Sequence, residues 1–372
     1  KNVTITEGIF GEIWIDYYVI PKTIKSYTMV NTNRMEIVVI TWGATIVSLK
    51  CPDKYGYSAD IVLGFDNIKG YTNPVTNPFI GCILGRCANR IKNGHITIRG
   101  RDYELTKNDF NGKHHLHGGT NGFGRKIWDS YIAGCSVVMS YLSQDGEEGY
   151  PGAVLTTIRF KLTSDNKLDI CMRTTTSKPT IVNLSHGSMF NLAGHDSGEA
   201  ELKKHKVLLN CDRWTFADYT DPIPTGAIRG VGGTVMDFRI PRILGEYMEQ
   251  FCQVPPGEGY DHNLCVTKSG QSGSSFVAKV WHVKSGRALE IYSDQRGVQF
   301  YTGGRLPPQI RKNGAQYKKY SAFSIQPQNY PNAIHYSHFP CSILYPGQVY
   351  YHDLTYKFEV HLANYICNSN DL

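Results

Sequence analysis

Hydrophobic and β-branched residues recur in short runs along nearly the whole chain, and glycine, asparagine, aspartate and proline separate these runs at short intervals. Polar and apolar residues are interspersed over Ser136–Ser143, which favours a strand with one buried face. Lys167–Thr176 and Ala288–Gly303 are further β-branched and aromatic runs, and Met35–Leu49 contains two runs with a break at Trp42. Many short strands with such turns predict an all-β protein, either a sandwich or a barrel.

Helical signals are few. The best is Pro241–Phe251, where a proline near the start precedes apolar residues at helical spacing, so the sequence predicts a helix there. A strand–helix–strand rhythm does not repeat, which argues against a doubly wound or TIM-barrel architecture. The Ser- and Gly-rich segment Ser269–Ser275 is short enough to be a hairpin loop. We therefore predict one large antiparallel β domain that spans residues 1–372.

Composition and charge exclude several classes of protein. Of the 372 residues, 41% are hydrophobic and 12% are aromatic, which is enough apolar material to offset the ordering entropy that keeps a chain disordered. No stretch approaches the roughly 18 apolar residues that a membrane helix requires. The net charge of +7 comes from basic residues that do not cluster, which argues against nucleic-acid binding. The same charge is compatible with a protein partner that has an acidic surface.

Cysteine and histidine residues give no sign of a metal site. The ten cysteines are scattered without a C-x-x-C pair, so they indicate buried small side chains in the reducing cytoplasm. His114, His115 and His117 form a tight cluster, in which the last two would share one face of a strand. Carboxylate and thiolate ligands are missing near that cluster, so we predict no metal.

Eight short strings in a fixed order carry a more specific signal. They are GATIVSL at 43–49, VLGF at 62–65, GRCANRI at 85–91, LHGG at 116–119, DGEEGYPG at 145–152, FNLAG at 190–194, GYDHN at 259–263 and GVQFYTG at 297–303. In this order and spacing they resemble the galactose mutarotase (aldose 1-epimerase) family, over nearly the whole chain. The resemblance implies a single large antiparallel β-sandwich with a sugar-binding cleft, and no metal or organic cofactor.

The resemblance also implies a reaction and a set of sugar contacts. In the family, a glutamate base and a histidine acid interconvert the α and β anomers of free aldoses such as galactose and glucose by opening and closing the ring. The binding positions are occupied here by residues that can hydrogen-bond a monosaccharide. They are Asn89, Arg90, His117, Asp261 and, before the GVQFYTG string, Gln295.

The two catalytic positions do not match the family. The acid aligns with Gly187, which has no side chain, and His186 lies one residue too early. On a strand His186 would point away from the cleft unless a bulge redirected it, and we keep it as a candidate substitute acid. The base aligns with Gln326, whose amide has no useful basicity near neutral pH. In addition, Arg305 stands where the family has a phenylalanine and brings a cation near the expected mouth of the cleft.

Three hypotheses follow from this pattern. The first is a pseudoenzyme that keeps a hexose-binding cleft, has lost most or all mutarotase activity, and acts by binding carbohydrate or protein. The second is an active aldose 1-epimerase with a relocated acid and base. The third is a purely structural component of a larger protein assembly.

Overall fold

The computed structural model describes residues 2–15, 19–218, 220–246, 248, 258–268 and 273–362. Within these residues the fold is nearly all β, as the sequence predicts. The two α-helices are single short turns, α1 (Ile68–Thr72) and α2 (Gly198–Leu202). None of the helices in the described part of the chain is long and apolar enough to span a membrane.

The described part of the chain contains 29 strands. The first ten are β1 (Val3–Ile13), β2 (Lys22–Asn31), β3 (Glu36–Ile40), β4 (Thr45–Pro52), β5 (Ser58–Asp60), β6 (Ile83–Leu84), β7 (Arg90–Ile91), β8 (His95–Ile98), β9 (Arg101–Glu104) and β10 (His115–Leu116). The next ten are β11 (Asp129–Ala133), β12 (Ser136–Ser143), β13 (Val154–Leu162), β14 (Lys167–Thr176), β15 (Thr180–Ile181), β16 (Ser185–His186), β17 (Lys206–Leu209), β18 (Cys211–Asp218), β19 (Asp221–Gly230) and β20 (Arg242–Ile243). The last nine are β21 (Asp261–Val266), β22 (Ser275–Trp281), β23 (Arg287–Ser293), β24 (Gly297–Tyr301), β25 (Gln309–Ile310), β26 (Gln316–Tyr317), β27 (Ser324–Gln328), β28 (Ile343–Leu344) and β29 (Tyr350–Val360).

Three large sheets carry most of these strands. One has the order β1-β2-β3-β4-β5, and a second has the order β19-β18-β21-β24-β27. The largest has nine strands in the order β11-β12-β13-β14-β29-β23-β22-β17-β20. The strand pairs within the three sheets are antiparallel, and the C-terminal strand β29 lies at the centre of the nine-stranded sheet, between β14 and β23.

Alternating burial along the strands explains how the sheets stack. In β14 the buried positions are every second residue, from Leu168 through Ile170 and Met172, and their neighbours face outward. These side chains belong to one hydrophobic cluster that also includes Ile37 of the first sheet and Phe300 of the second. Each such side chain, when fully buried, contributes about 1.5–3 kcal/mol, so the shared core holds the three sheets together.

One local prediction was wrong. The predicted helix over Pro241–Phe251 is instead the short strand β20, followed by a single 3₁₀ turn at Leu244–Glu246. Strand β20 extends the nine-stranded sheet by pairing with β17, so tertiary pairing overrides the helical spacing of the apolar residues. Residue 247 and residues 249–251 of that prediction lie outside the described residues, as do residues 269–272 of the predicted hairpin loop.

A buried arginine anchors the segment between β6 and β7. Arg86 is only 2% exposed, and its guanidinium donates to the carbonyls of Gln144, Pro151 and Gly152 at 3.0, 2.9 and 2.7 Å. It also donates to the Ser143 hydroxyl at 2.9 Å. These bonds join the segment that leads into β7 to the turn between β12 and β13, and thereby fix the position of the residues that follow Arg86.

We expect Arg86→Met to destabilise the protein by at least about 3 kcal/mol, because it leaves several buried carbonyl groups without a donor. Urea unfolding followed by circular dichroism measures this change. Arg99→Met removes an exposed arginine that lies over the Tyr345 ring, and we expect it to change the free energy of unfolding by less than about 0.5 kcal/mol. Equal effects of the two substitutions would show that the Arg86 hydrogen bonds do not anchor the segment.

Candidate functional site

A polar cleft of about 200 Å³ lies between the second five-stranded sheet and the segments that surround β7 and β10. Four of the five predicted sugar-binding residues and both aligned catalytic positions line it. The lining residues are Pro78, Phe79, Asn89, Arg90, Asp109, Leu116, His117, Gly187, Met189, Asp261, Gln299, Tyr301, Arg305 and Gln326.

Strand register builds one wall of the cleft from residues that are far apart in the sequence. In β24, Gln299 lies directly opposite Gln326 of β27, and Tyr301 lies opposite Asp261 of β21. Because side chains alternate between the two faces of a strand, Gln299 and Tyr301 point to the same face. The wall is therefore a row of polar side chains from three adjacent strands.

Hydrogen bonds fix the orientation of the amides in this wall. The Gln299 amide nitrogen donates to Asp261 Oδ1 at 2.8 Å, and its oxygen accepts from Gln328 at 3.3 Å. The Gln326 nitrogen donates to the Ser324 hydroxyl at 2.9 Å. Gln326 is 7% exposed and is therefore a largely buried amide at the bottom of the wall.

The opposite wall is built around Asn89 and His117. The Asn89 N–H donates to His117 Nδ1 at 2.9 Å, and the His117 N–H donates to the Asn89 carbonyl at 3.0 Å. Both residues have left-handed backbones, with φ of +66° and +50°, a conformation that asparagine tolerates better than most residues. The reciprocal bonds stabilise these two conformations together.

The protonation state of His117 follows from this contact. Burial lowers its pKa to about 3, and the nearby charge of Arg90 acts in the same direction. Because Nδ1 accepts a hydrogen bond, the proton of the neutral ring lies on Nε2. His117 is therefore a neutral hydrogen-bond donor rather than a cation at pH 7.

Two carboxylates line the cleft, and each contacts an arginine. Arg90 Nε lies 2.6 Å from Asp109 Oδ2, in a pair whose side chains are 6% and 18% exposed. Asp261 contacts the Arg305 guanidinium through Oδ2. The sequence suggests that both oxygens of Asp261 accept from sugar hydroxyls, whereas in the structure Gln299 and Arg305 already bind them.

Gly187 reaches the cleft through its backbone. Its N–H donates to the Cys82 carbonyl at 2.8 Å, and its own carbonyl accepts from Gly81 at 2.8 Å. A Cβ atom at this position would lie 2.6 Å from the Phe79 carbonyl oxygen. Any side chain at 187 would therefore require the segment around Phe79 to move.

His186 does not reach the cleft. It is fully buried, and its two ring nitrogens lie 3.0 Å from the Ser188 hydroxyl and 3.3 Å from the Ala44 carbonyl. Burial lowers its pKa to about 4. No bulge is present in its pairing with β6, so the alternation of the strand directs the ring into the core and away from the residues that line the cleft.

Gln295 also lies outside the cleft. Its amide nitrogen donates to Asp294 at 2.9 Å and to the Tyr351 carbonyl at 3.1 Å, in the turn between β23 and β24. Besides Gln326, the glutamine that lines the cleft is Gln299, which lies four residues after Gln295 and inside the GVQFYTG string. Period-two counting within β24 could have found it, because Gln299 and Tyr301 share a face.

The histidines that the sequence grouped together separate in the structure. His115 Nδ1 lies 2.5 Å from the Thr106 carbonyl, and its Nε2 lies 2.5 Å from the Tyr150 hydroxyl. His114 Nε2 lies 3.0 Å from Asp221, and only His117 lines the cleft. Among the residues that the structure describes, no group of three or more His, Cys, Asp or Glu side chains is arranged to hold a metal ion.

Comparisons with known proteins agree with this architecture. The family model for aldose 1-epimerase matches residues 25–357. Galactose mutarotase of Bos taurus is 37% identical over 359 residues, which cover 96% of this chain and 99% of that protein. Galactose mutarotase of Homo sapiens is 37% identical over 361 residues, with the same coverage.

Solved structures of other proteins have the same fold as this chain. The aldose epimerase homologue of C. elegans superimposes with a TM-score of 0.80 at 31% identity, covering 89% of this chain and 97% of that chain. Galactose 1-epimerase of Lactobacillus acidophilus also has a TM-score of 0.80, at 21% identity, and supports the fold alone. From the match over residues 25–357 and these relatives, we conclude that the chain belongs to the aldose 1-epimerase family.

Proposed function

We propose that this member of the aldose 1-epimerase family binds a hexose in the cleft and has lost most or all of its mutarotase activity. The observation that carries the proposal is the amide of Gln326, which lies in the cleft wall. The resemblance to the family assigns this position to the base. Anomer exchange requires a group that removes the C1 hydroxyl proton, and an amide cannot do so.

The acid position supports the same proposal. The aligned residue Gly187 offers no side chain, and the Phe79 carbonyl fills the space that a side chain would occupy. His117 is the histidine in the cleft. Its neutral ring carries a single proton, on Nε2, and this N–H donates a hydrogen bond. The ring can therefore orient a sugar oxygen without protonating it.

The capacity to bind a sugar rests on the groups that remain. Asn89 and Arg90 on one wall and Gln299 and Asp261 on the other provide both donors and acceptors around a cleft of about 200 Å³. Sugar hydroxyls need this combination, because each one both donates and accepts. The relatives of Bos taurus and Homo sapiens are named for galactose, so galactose is the first ligand to test.

An active aldose 1-epimerase is the second candidate, and one observation favours it. The cleft still contains two carboxylates, Asp109 and Asp261, either of which is a chemical candidate for a relocated base. Both are engaged by arginines, Asp109 by Arg90 at 2.6 Å and Asp261 by Arg305. A relocated base would have to leave its arginine to reach a C1 hydroxyl, and we therefore rank this candidate second.

Anomer exchange of galactose and glucose, measured by NMR exchange spectroscopy, tests the proposal. We expect the wild-type rate to remain close to that of buffer. Gln326→Glu adds a carboxylate at the base position and should raise the rate at least about tenfold, toward the roughly 10²–10⁴-fold that one positioned base contributes. Gly187→His is unsuitable as a partner substitution, because of the Phe79 carbonyl.

The matched control is Gln326→Met, which keeps the side-chain size without basicity and should not change the rate. Bovine galactose mutarotase, assayed in parallel, gives the rate of a working relative. If the wild-type protein reaches that rate, the pseudoenzyme proposal is wrong. Asp109→Asn and Asp261→Asn would then identify the relocated base.

A second prediction concerns the His117 ring. We expect its nitrogen signals to show a proton on Nε2 and none on Nδ1 from about pH 8 down to about pH 5, because burial lowers the pKa to about 3. Since this value is below the roughly 6.5 of an unfolded chain, the stability contributed by His117 is fully present above pH 6.5. It is lost as the pH falls through 3. Titration of the folded ring near pH 6.5, as in urea-unfolded protein, would contradict the assignment.

A further inference from the structure

Arg305 occupies an unusual place in the cleft. Its guanidinium contacts Asp261 Oδ2, and its Nε lies 3.4 Å from Glu258 Oε2. The Arg305 side chain is 33% exposed, whereas those of Asp261 and Glu258 are each 20% exposed. The guanidinium therefore lies at the mouth of the cleft with an acidic residue on each side.

The backbone holds this arginine in place. Its N–H donates to the Tyr301 hydroxyl at 3.0 Å, which ties the residue to the end of β24. At the preceding residue, Gly304, a Cβ atom would lie 1.9 Å from the Glu258 carbonyl oxygen. Only glycine permits this close approach, so the turn brings the backbone that carries Arg305 next to the segment that carries Glu258.

In this arrangement Arg305 competes with the hydroxyls of a neutral hexose for the Asp261 carboxylate. Its hydroxyls can accept from the guanidinium but cannot replace a carboxylate as the counter-charge of Arg305. Separating a half-buried guanidinium from one of its two carboxylates without a replacement is unfavourable, because only Glu258, at 3.4 Å, then remains as its partner. Asp261 is therefore a weaker acceptor for hydroxyls than a free carboxylate would be.

A sugar that carries its own carboxylate avoids this loss. Its carboxylate can bind Arg305 in the bidentate manner that guanidinium and carboxylate groups favour, and the number of carboxylates on the guanidinium stays the same. Asp261, still held by Gln299 at 2.8 Å, is then free to accept from the hydroxyls of the same sugar.

We propose that Arg305 is a specificity-determining residue, which makes the cleft select an acidic aldose such as a hexuronic acid over the neutral hexose. This inference rests on the proposed function, since it names the ligand class of the same cleft. It predicts that the Arg305 side chain controls the difference between the affinity for the acidic aldose and the affinity for the neutral hexose.

Isothermal titration calorimetry at pH 7 with galacturonate and galactose tests the inference on the full chain. We expect the wild-type protein to bind galacturonate at least about fivefold more tightly than galactose. Arg305→Met should reverse this order: it should weaken galacturonate binding at least about tenfold and tighten galactose binding about threefold, because Asp261 no longer has a competitor.

Arg229→Met is the matched control. It removes one positive charge from an exposed residue of β19, which stacks on Phe216 and does not line the cleft. The control should retain the wild-type preference, which separates the local contact from net charge. Circular dichroism of each variant confirms that it is folded.

Three outcomes would overturn the inference. One is equal binding of the two sugars by the wild-type protein, and another is a preference for galacturonate that survives in Arg305→Met. In both cases the proposed function stands, because a sugar still binds. The third is that neither sugar binds the wild-type protein or Arg305→Met, and this outcome overturns the proposed function together with the inference.

Discussion

The register of three antiparallel strands is the constraint on which the cleft depends. Pairing of β24 with β21 and β27 places Gln299 opposite Gln326 and brings Asp261 beside Tyr301, although these residues are spread over 66 positions of the sequence. A slip of one residue in either pairing would turn the polar side chains into the core and apolar ones into the cleft. The register is secured from the other face, where Leu264, Val298 and Ile325 are fully or almost fully buried in the common core. The same core that stabilises the fold therefore determines which side chains a ligand meets.

The opposite wall lacks long strands and needs another source of order. Arg86, three residues before Asn89, provides this order by binding carbonyls of the turn between β12 and β13. Asn89 and His117 then exchange backbone and ring hydrogen bonds, which fixes the imidazole as a donor through Nε2. Polar groups that are satisfied inside the protein thus replace a regular sheet in positioning this wall. A site built in this way has little freedom to adapt, because a change at Arg86 or Asn89 leaves buried partners unsatisfied.

The sequence predicted the parts of the structure that local patterns determine. Strands β12 and β14 begin and end at the ends of the runs that the sequence indicated, Ser136–Ser143 and Lys167–Thr176. The helix over Pro241–Phe251 was wrong because pairing with β17 outweighs a helical spacing. Gln295 was chosen by its place before a string, whereas the strand pairing selects Gln299. The contact between Arg305 and Asp261 joins residues 44 positions apart, and the sequence could place a cation near the cleft without naming its partner.

The surroundings of the two aligned catalytic positions, Gln326 and Gly187, differ. At Gln326 the change is chemical, since a carboxylate and an amide have nearly the same shape and the strand register is unaffected. At Gly187 the change is also steric, because the Phe79 carbonyl lies where the first carbon of a side chain would be, and the Phe79 ring packs at 5.0 Å from His117. Under the proposed loss of activity, restoring a base at position 326 needs one substitution, whereas an acid at position 187 needs the wall around Phe79 to be rebuilt. The proposed binding function uses the polar side chains of the two walls, and the role proposed for Arg305 is to select the ligand that these walls hold.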